Sequence, residues 1–346
     1  MLTHVCRWNS GGDCQFLQLF CRGPGLRVNR VRLSSGKSCG IILVLCTSLS
    51  AGICHAQDLT PRAYVITPIH TNAVILTYSF NSGSILFNPT LPITDATGKL
   101  SVPVFSYYHT FSFFGRSANF AAYLPYAVGN FQANVNGTPT NVYRSGMMDS
   151  VFRFSVNLRG GPAMTAKEFS SWHQKTILGA SIKITAPTGQ YDPAILTSPG
   201  SNRWAFKPEF GVSRRWGDWI FDVYTGVWFY TTNPEFFSHN RFSPGVNTLS
   251  QAPVGSLETH VSYDLRPRLW ASLDWNYWYG GRRSVNGVET ANSLQGESRI
   301  GGTASIPISK HQSLKFSYSY GDIVRVGGNY HDIAVAWQYG WLGRPN

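Results

Sequence analysis

The groups able to do chemistry come first. Nucleophilic catalysis needs a serine or cysteine within hydrogen-bond reach of a base. The tightest such spacing here is His311-Gln312-Ser313, in a turn, with no carboxylate placed to orient the histidine. Glu258 and His260 lie two residues apart and so share one face of a strand, where a histidine more often serves as a hydrogen-bonding partner than as a base. His173, His239 and His331 fall on different connections or strand ends and offer no metal-ligand spacing. No Gly-rich loop stands between a strand and a helix, so a nucleotide cradle is not implied. These patterns lead to an expectation of no catalytic residue, no metal and no cofactor. What does recur is a charged or imidazole side chain on the small or polar face of strand-like runs: Arg153, Lys183, Lys207, Glu209, Asp222, Glu258, His260, Asp274, Arg299 and Lys315.

Their placement depends on the elements that carry them. In 332–341, Ile333, Val335, Trp337, Tyr339 and Trp341 share one face, and Asp332, Ala334, Ala336, Gln338 and Gly340 the other. A period of two is a strand, here with one large apolar face and one small or polar face. Residues 152–159 alternate Phe152, Phe154, Val156 and Leu158 with Arg153, Ser155, Asn157 and Arg159. An arginine facing lipid at mid-depth costs about 2–4 kcal/mol, so both arginines must face a wet lumen. Strand-like runs continue along the chain, including Lys175–Ala186, Asn202–Ser213, Trp219–Tyr230, Pro253–Leu265, Arg268–Tyr279 and Glu297–Ile308. Twelve such runs are predicted, joined alternately by long polar loops (81–99, 129–146, 231–252, 280–296) and by mostly tight turns. The expected fold is all-β, a transmembrane antiparallel up-and-down barrel of about 12 strands, with long loops outside and short turns in the periplasm. One connection is out of pattern. Gly160–Gln174 is long for a turn, and Thr165-Ala166-Lys167-Glu168 fits a capping box, so a short helix is expected there.

Composition agrees with a barrel. The 346 residues are 13% charged and 14% aromatic with 34 glycines, and beyond residue 57 there is no apolar run long enough for a membrane helix. All six cysteines lie before residue 57. The apolar stretch Ile41–Leu45 follows Arg32 and Lys37, and Cys54-His55-Ala56 suits cleavage before Gln57. Residues 1–56 therefore read as an export signal with an over-long leading region, consistent with a translation start set too early, and no disulfide or thiol site is expected after export. Residues 57–71 read as a periplasmic lead-in, 72–341 as the barrel and 342–346 as a tail. From residue 57 onward, 23 Lys and Arg face 16 Asp and Glu, a net of +7. Because these charges are scattered singly on an exported chain, lipopolysaccharide phosphates or an anion-favouring lumen fit the excess better than nucleic acid.

Gly189-Gln190-Tyr191-Asp192-Pro193, followed by Gly200-Ser201-Asn202-Arg203-Trp204-Ala205-Phe206-Lys207-Pro208-Glu209 and Gly211, resembles a bacterial outer-membrane family. Leu269–Leu273, Gly280-Gly281-Arg282 with Asn286-Gly287, and Trp337-Gln338-Tyr339 extend the resemblance over most of 60–341. The family is labelled "putative meta-pathway of phenol degradation", and its members are often simply termed transporters. The resemblance implies an outer-membrane barrel associated with aromatic-compound catabolism. The chain departs from many barrels in its tail, Leu342–Asn346, which follows the terminal aromatic residue that engages the barrel-assembly machinery.

The expectation is a passive outer-membrane channel for small solutes, aromatic ones among them, with outer-membrane lipid and lipopolysaccharide as surroundings. Two alternatives stay open: a closed structural or surface-binding barrel whose lumen charges pair and fill it, and a lipid-modifying barrel enzyme. Tyr191, Asp192, Arg203 and Trp204 are candidates for an extracellular lip, against ordinary turn and aromatic-girdle roles.

Overall fold

The computed structural model describes residues 4–8, 14–18, 60–86, 93–135, 137–240, 243–325 and 327–343. The expected cleavage site at Ala56/Gln57 and residues 344–346 of the tail lie outside them. His4–Trp8 and Cys14–Gln18 pair antiparallel within a separate unit.

The second unit is a closed barrel. Its strands are β1 (Thr71–Leu86), β2 (Ile93–Phe113), β3 (Arg116–Val135), β4 (Ser150–Arg159), β5 (Thr176–Ala186), β6 (Ala205–Trp216), β7 (Trp219–Tyr230), β8 (Val254–Arg266), β9 (Leu269–Gly280), β10 (Gln295–Pro307), β11 (Gln312–Ile323) and β12 (Gly327–Leu342). Each pairs antiparallel with its sequence neighbours, and β12 closes on β1 from Thr71↔Leu342 to Leu86↔Gly327. Closure removes the sheet edges that an open antiparallel sheet would expose to lipid. Among the described residues no helix is long and apolar enough to cross a membrane.

Residue type alternates with side. Along β7, Trp219, Phe221, Val223, Val227 and Phe229 are exposed, while Ile220, Asp222, Tyr224 and Trp228 are buried. The outer face of β1 shows Leu76, Tyr78 and Phe80, and that of β12 shows Ile333, Val335 and Tyr339. Large apolar groups outside and charged groups inside invert a soluble core, as a lipid-facing wall requires.

Two connections read from sequence as loops are strand. Residues 81–86 and 93–99 extend β1 and β2, paired from Asn81↔Leu100 to Ser84↔Thr97. Within 129–146, β3 runs on to Val135 and Thr138–Met147 returns along it. These extensions rise beyond the apolar band, so neither face has to be greasy and the period of two that marks a membrane strand is lost. Below them, the lower half of β3 pairs with β4, so Thr138–Met147 and β4 act as one wall strand broken at Met148 and Asp149.

Tight turns gather at one end. Gly115 and Gly217 take positive φ (73° and 59°) there, a conformation open to glycine without a Cβ penalty. At that same end lies α1 (Ala166–Phe169), with the expected capping box: Glu168 N donates to Thr165 Oγ1 at 3.4 Å, and Thr165 N to Glu168 Oε2 at 2.8 Å. The long connections gather at the opposite end. Thr60–His70, read from sequence as part of a periplasmic lead-in, runs into the lumen at the turn end.

Candidate functional site in the barrel lumen

The ten inward charges anticipated from alternation all lie on the inner face, and cross-strand register sets their neighbours. Asp222, His260 and Asp274 stand level on β7, β8 and β9. His260 Nδ1 lies 2.8 Å from Asp274 Oδ1, and Thr303 Oγ1 donates to Asp274 Oδ2 at 2.8 Å. One level away, the fully buried Lys207 Nζ bridges Glu258 Oε1 at 2.6 Å and Glu209 Oε2 at 3.1 Å. Arg153 Nη2 approaches Glu209 from the other side at 3.7 Å. Lys183 lies level with Lys207 and 5.7 Å from the Trp228 ring, a distance at which the indole face offsets part of the repulsion. Arg299 donates to Ser319 Oγ at 2.8 Å and lies over Tyr330. Lys315 stands level with Ser305 and Ala336, within electrostatic reach of Asp274.

The lead-in occupies the turn end of this lumen through contacts from several strands. The main-chain N–H of Arg62 donates to Asp222 Oδ2 at 3.1 Å, and its guanidinium donates to Asp264 Oδ1 at 2.7 Å while covering Trp270. Ala63 N donates to the Tyr224 hydroxyl at 3.0 Å. The Tyr64 hydroxyl reaches Ser181 Oγ and Glu209 Oε1, at 3.1 and 3.0 Å. Its ring rests on Gly179 and Gly211, which face each other across β5 and β6. Tyr64, Ile66, Met164, Ile177 and Tyr224 form a small buried core, with Phe169 of α1 and Trp172 packed against it. Ile69 N donates to Met164 O at 2.8 Å, so the long β4–β5 connection braces the lead-in.

Alternation could not reveal this arrangement, because Thr60–His70 has no period. One trace was available: Gly179 and Gly211 sit at inward positions of adjacent strands, where a missing pair of side chains leaves a notch.

At the loop end the four lip candidates do not form one surface. Arg203 points into the lumen mouth, donates to Gln251 Oε1 at 2.6 Å and lies over the Tyr230 ring. Trp204 is on the outer wall, stacked with Phe206. The Tyr191 hydroxyl donates to Glu235 O and accepts from Asn233 Nδ2, and Asp192 Oδ1 accepts from Ala194 N in its own turn. Phe236, Leu249 and Val285, with Leu196 and Phe237, give the loops a core of their own.

Among the described residues no group of three or more His, Cys, Asp or Glu is placed to hold a metal ion. His311 Nδ1 faces Gly340 O at 3.0 Å, engaged with backbone at a turn.

An apolar outer wall, a charged lumen and a chain segment seated inside it define a barrel of the outer-membrane type. The family described as "Putative MetA-pathway of phenol degradation" matches residues 81–331, and the chain belongs to it. Among solved structures, an outer membrane channel from Pseudomonas putida F1 superposes with a TM-score of 0.66 at 15% identity, covering 82% of this chain and 100% of that one. The β domain of the Bordetella autotransporter BrkA reaches only 0.45 at 12% identity, over 79% of this chain and 100% of that one. No curated protein matches the chain.

Proposed function

We propose that the protein is an outer-membrane channel for the passive passage of small solutes, aromatic compounds among them, with the turn end toward the periplasm and the loop end outside. The observation carrying this reading is the inner wall. Arg153, Lys183, Lys207, Glu209, Asp222, Glu258 and Asp274 project inward from the consecutive strands β4–β9, and a polar inner wall is what a path for solutes across the bilayer requires. The likeness to the Pseudomonas putida channel supports the fold that this reading needs, and the family description supports the solute class. Passage requires no cofactor and no nucleotide.

In this reading the lead-in is the gate. It is seated by polar contacts to Asp222, Asp264, Tyr224 and Glu209 and by one aromatic ring, contacts that water can replace in part when it leaves. Lipopolysaccharide phosphates surround the outer half and match the basic excess of the chain. The C-terminal strand, ending in Tyr339 and Trp341, would engage the barrel-assembly machinery.

A second reading, a closed barrel with a structural or surface-binding role, is favoured by the buried Lys207–Glu258–Glu209 cluster, which fills the lumen it lines. Single-channel recording separates the two. Protein purified from outer membranes and inserted in a planar bilayer should give discrete steps that respond to phenol or benzoate. Insertion confirmed by protease protection, without steps even after removal of the lead-in, would establish the closed barrel instead.

A further inference from the structure

Part of the chain's basic excess stands on the outside of the barrel, at the turn end. Arg116 opens β3, Arg159 ends β4, Lys167 lies on α1, Lys175 precedes β5 and Arg214 is near the end of β6. All five side chains are exposed and none forms an ion pair. The carboxylates of that end are mostly engaged elsewhere. Glu168 accepts from Thr165, and Asp264 takes both Arg62 and Arg215. Among the described residues of the turn end, Asp218 is the carboxylate left over, in the β6–β7 turn.

Strand register ties these bases to the lipid-facing wall. Arg116 is level with Phe113, Arg159 with Leu178, and Arg214 with Phe221 on one side and Thr176 on the other. Phe113, Leu178 and Phe221 are exposed on the outer face. Residues level across an antiparallel pair share a face, so the guanidiniums leave the wall where its apolar band ends. A guanidinium is costly within that band and settles at its edge, with its stem along the wall and its head among headgroups. Trp216, two positions past Arg214 on the same face, is 78% exposed, as an indole anchoring a strand end at headgroup level would be. The connection 160–174 runs between Arg159 and Lys175 and carries Lys167. Its other side holds the lead-in, since Met164, Phe169 and Trp172 meet Tyr64 in the buried core.

We propose that this basic face binds the phosphate of an anionic glycerophospholipid in the periplasmic leaflet, with Arg159, Lys175 and Arg214 around the headgroup and Arg116 and Lys167 flanking them. The inference rests on the channel reading for its orientation, since it needs the turn end in the leaflet opposite lipopolysaccharide. It goes beyond that reading by assigning a ligand to the outer wall. A zwitterionic headgroup carries its own compensating cation, whereas phosphatidylglycerol leaves its phosphate charge for the protein to meet. Each Lys or Arg near an anionic bilayer surface gains about fivefold in association. An anionic cell-wall polymer would call for bases at the turn tips, facing away from the bilayer. Arg116, Arg159 and Arg214 are instead level with lipid-facing residues. Headgroup and lead-in then lie on two sides of one connection, so the lipid outside steadies the brace inside.

The test is lipid binding by the full protein in nonionic detergent, read by energy transfer from its tryptophans to a pyrene on the acyl chain. Phosphatidylglycerol should bind at least about tenfold more tightly than phosphatidylethanolamine, as two or more basic contacts imply. It should lose that advantage in added salt and resist displacement by inorganic phosphate. Arg214→Gln should lower its affinity about fivefold, and Arg159→Gln, Lys175→Gln and Arg214→Gln together should bring it to the phosphatidylethanolamine level. Hydrogen exchange at 160–175 should slow with phosphatidylglycerol and not with phosphatidylethanolamine. Heat-modifiable gel mobility checks that the variants are folded; if the triple variant is not, Arg214→Gln and the exchange map decide. Equal binding of the two lipids, a preference that survives in the folded triple variant, or protection confined to other segments overturns the proposal. So does displacement by inorganic phosphate, which makes this a free-anion site, or retention on peptidoglycan sacculi without lipid preference, which makes the partner the cell wall. Planar-bilayer conductance is scored separately. Conductance without lipid preference removes this surface and leaves the channel standing, whereas lipid preference without conductance removes the channel and leaves the surface.

Discussion

The ring of Tyr64 lies so close over Gly179 that a Cβ there would stand 2.1 Å from its Cδ1. The neighbouring Gly211 is equally tight, at 2.1 Å from Cε2 on the other edge of the same ring. Two adjacent strands have thus given up side chains at one level, and the lead-in fills the notch they leave. A segment merely trapped in a pore would not need a fitted seat.

Gly179→Val should therefore expel Tyr64 while leaving the wall intact, because valine suits strand backbone and adds bulk only on the lumen side. Weakening the seat by about 1.4 kcal/mol raises the displaced fraction roughly tenfold. Planar-bilayer recording should show a higher open probability. Limited trypsin digestion should cut faster after Arg62, with the barrel core still resistant. Unchanged conductance together with an unchanged digestion rate at Arg62 would mean that the notch is not what seats the segment.

Tyr64→Ala tests the same seat from the other side. The ring is fully buried and edge-on to Tyr224 at 5.1 Å, and truncating a buried aromatic costs about 3–5 kcal/mol. That loss falls on docking of the lead-in, since Tyr64 belongs to no wall strand. Hydrogen exchange at 62–70 should accelerate sharply while the amides of β5 and β6 keep their protection. Accelerated exchange spread over the barrel would instead make the lead-in part of the folding core.

Lys207 is the cation most deeply committed to the inner wall, with 0% side-chain exposure between Glu209 and Glu258. Lys207→Met leaves two buried carboxylates facing each other, and breaking a buried pair from one side costs about 3–5 kcal/mol. Lys207→Met combined with Glu258→Gln should recover much of the loss, because the second change removes the uncompensated charge. Urea unfolding of the barrel in detergent measures both. Equal destabilisation by the single and the double variant would show that Glu258 is not the group Lys207 compensates.

Alternation revealed as much of this molecule as the lipid dictates. Arg153, Asn157, Asp222 and His260 could be placed inside because the bilayer penalises the other face, and a strand has only two. Where lipid is absent the signal fails. Residues 81–86 and 93–99 are strand in solvent, and their glycines, serines and threonines give no period. Contacts across the lumen are invisible for another reason. Arg62 and Asp264 lie 202 residues apart, and their meeting depends on how the sheet closes and staggers rather than on any local pattern. The capping box was legible because its whole code is contained in four residues. Gln251 was not, since its role depends on a neighbour brought in by a different loop.

That capping box yields the last expectation, one of pH. The Glu168 carboxylate receives the Thr165 backbone N–H and hydroxyl, and the backbone bond leads in holding its pKa below the ordinary carboxylate value. A depressed folded-state pKa means stabilisation that is present above the unfolded value and is lost as pH falls through the folded one. The α1 turn should thus hold at pH 7 and loosen below about pH 4, the ordinary range for glutamate. Because α1 supplies Phe169 to the core around Tyr64, loosening it also loosens the brace on the lead-in. Acidification should raise channel open probability in the unmodified protein. Glu168→Gln should flatten that response, since its amide cannot titrate, and should raise the open probability at pH 7 toward the acidic level. An acid response that survives unchanged in Glu168→Gln would move the titrating group from α1 into the lumen, with Asp222, Asp264 and Glu209, the carboxylates that hold the lead-in directly, as the next to substitute.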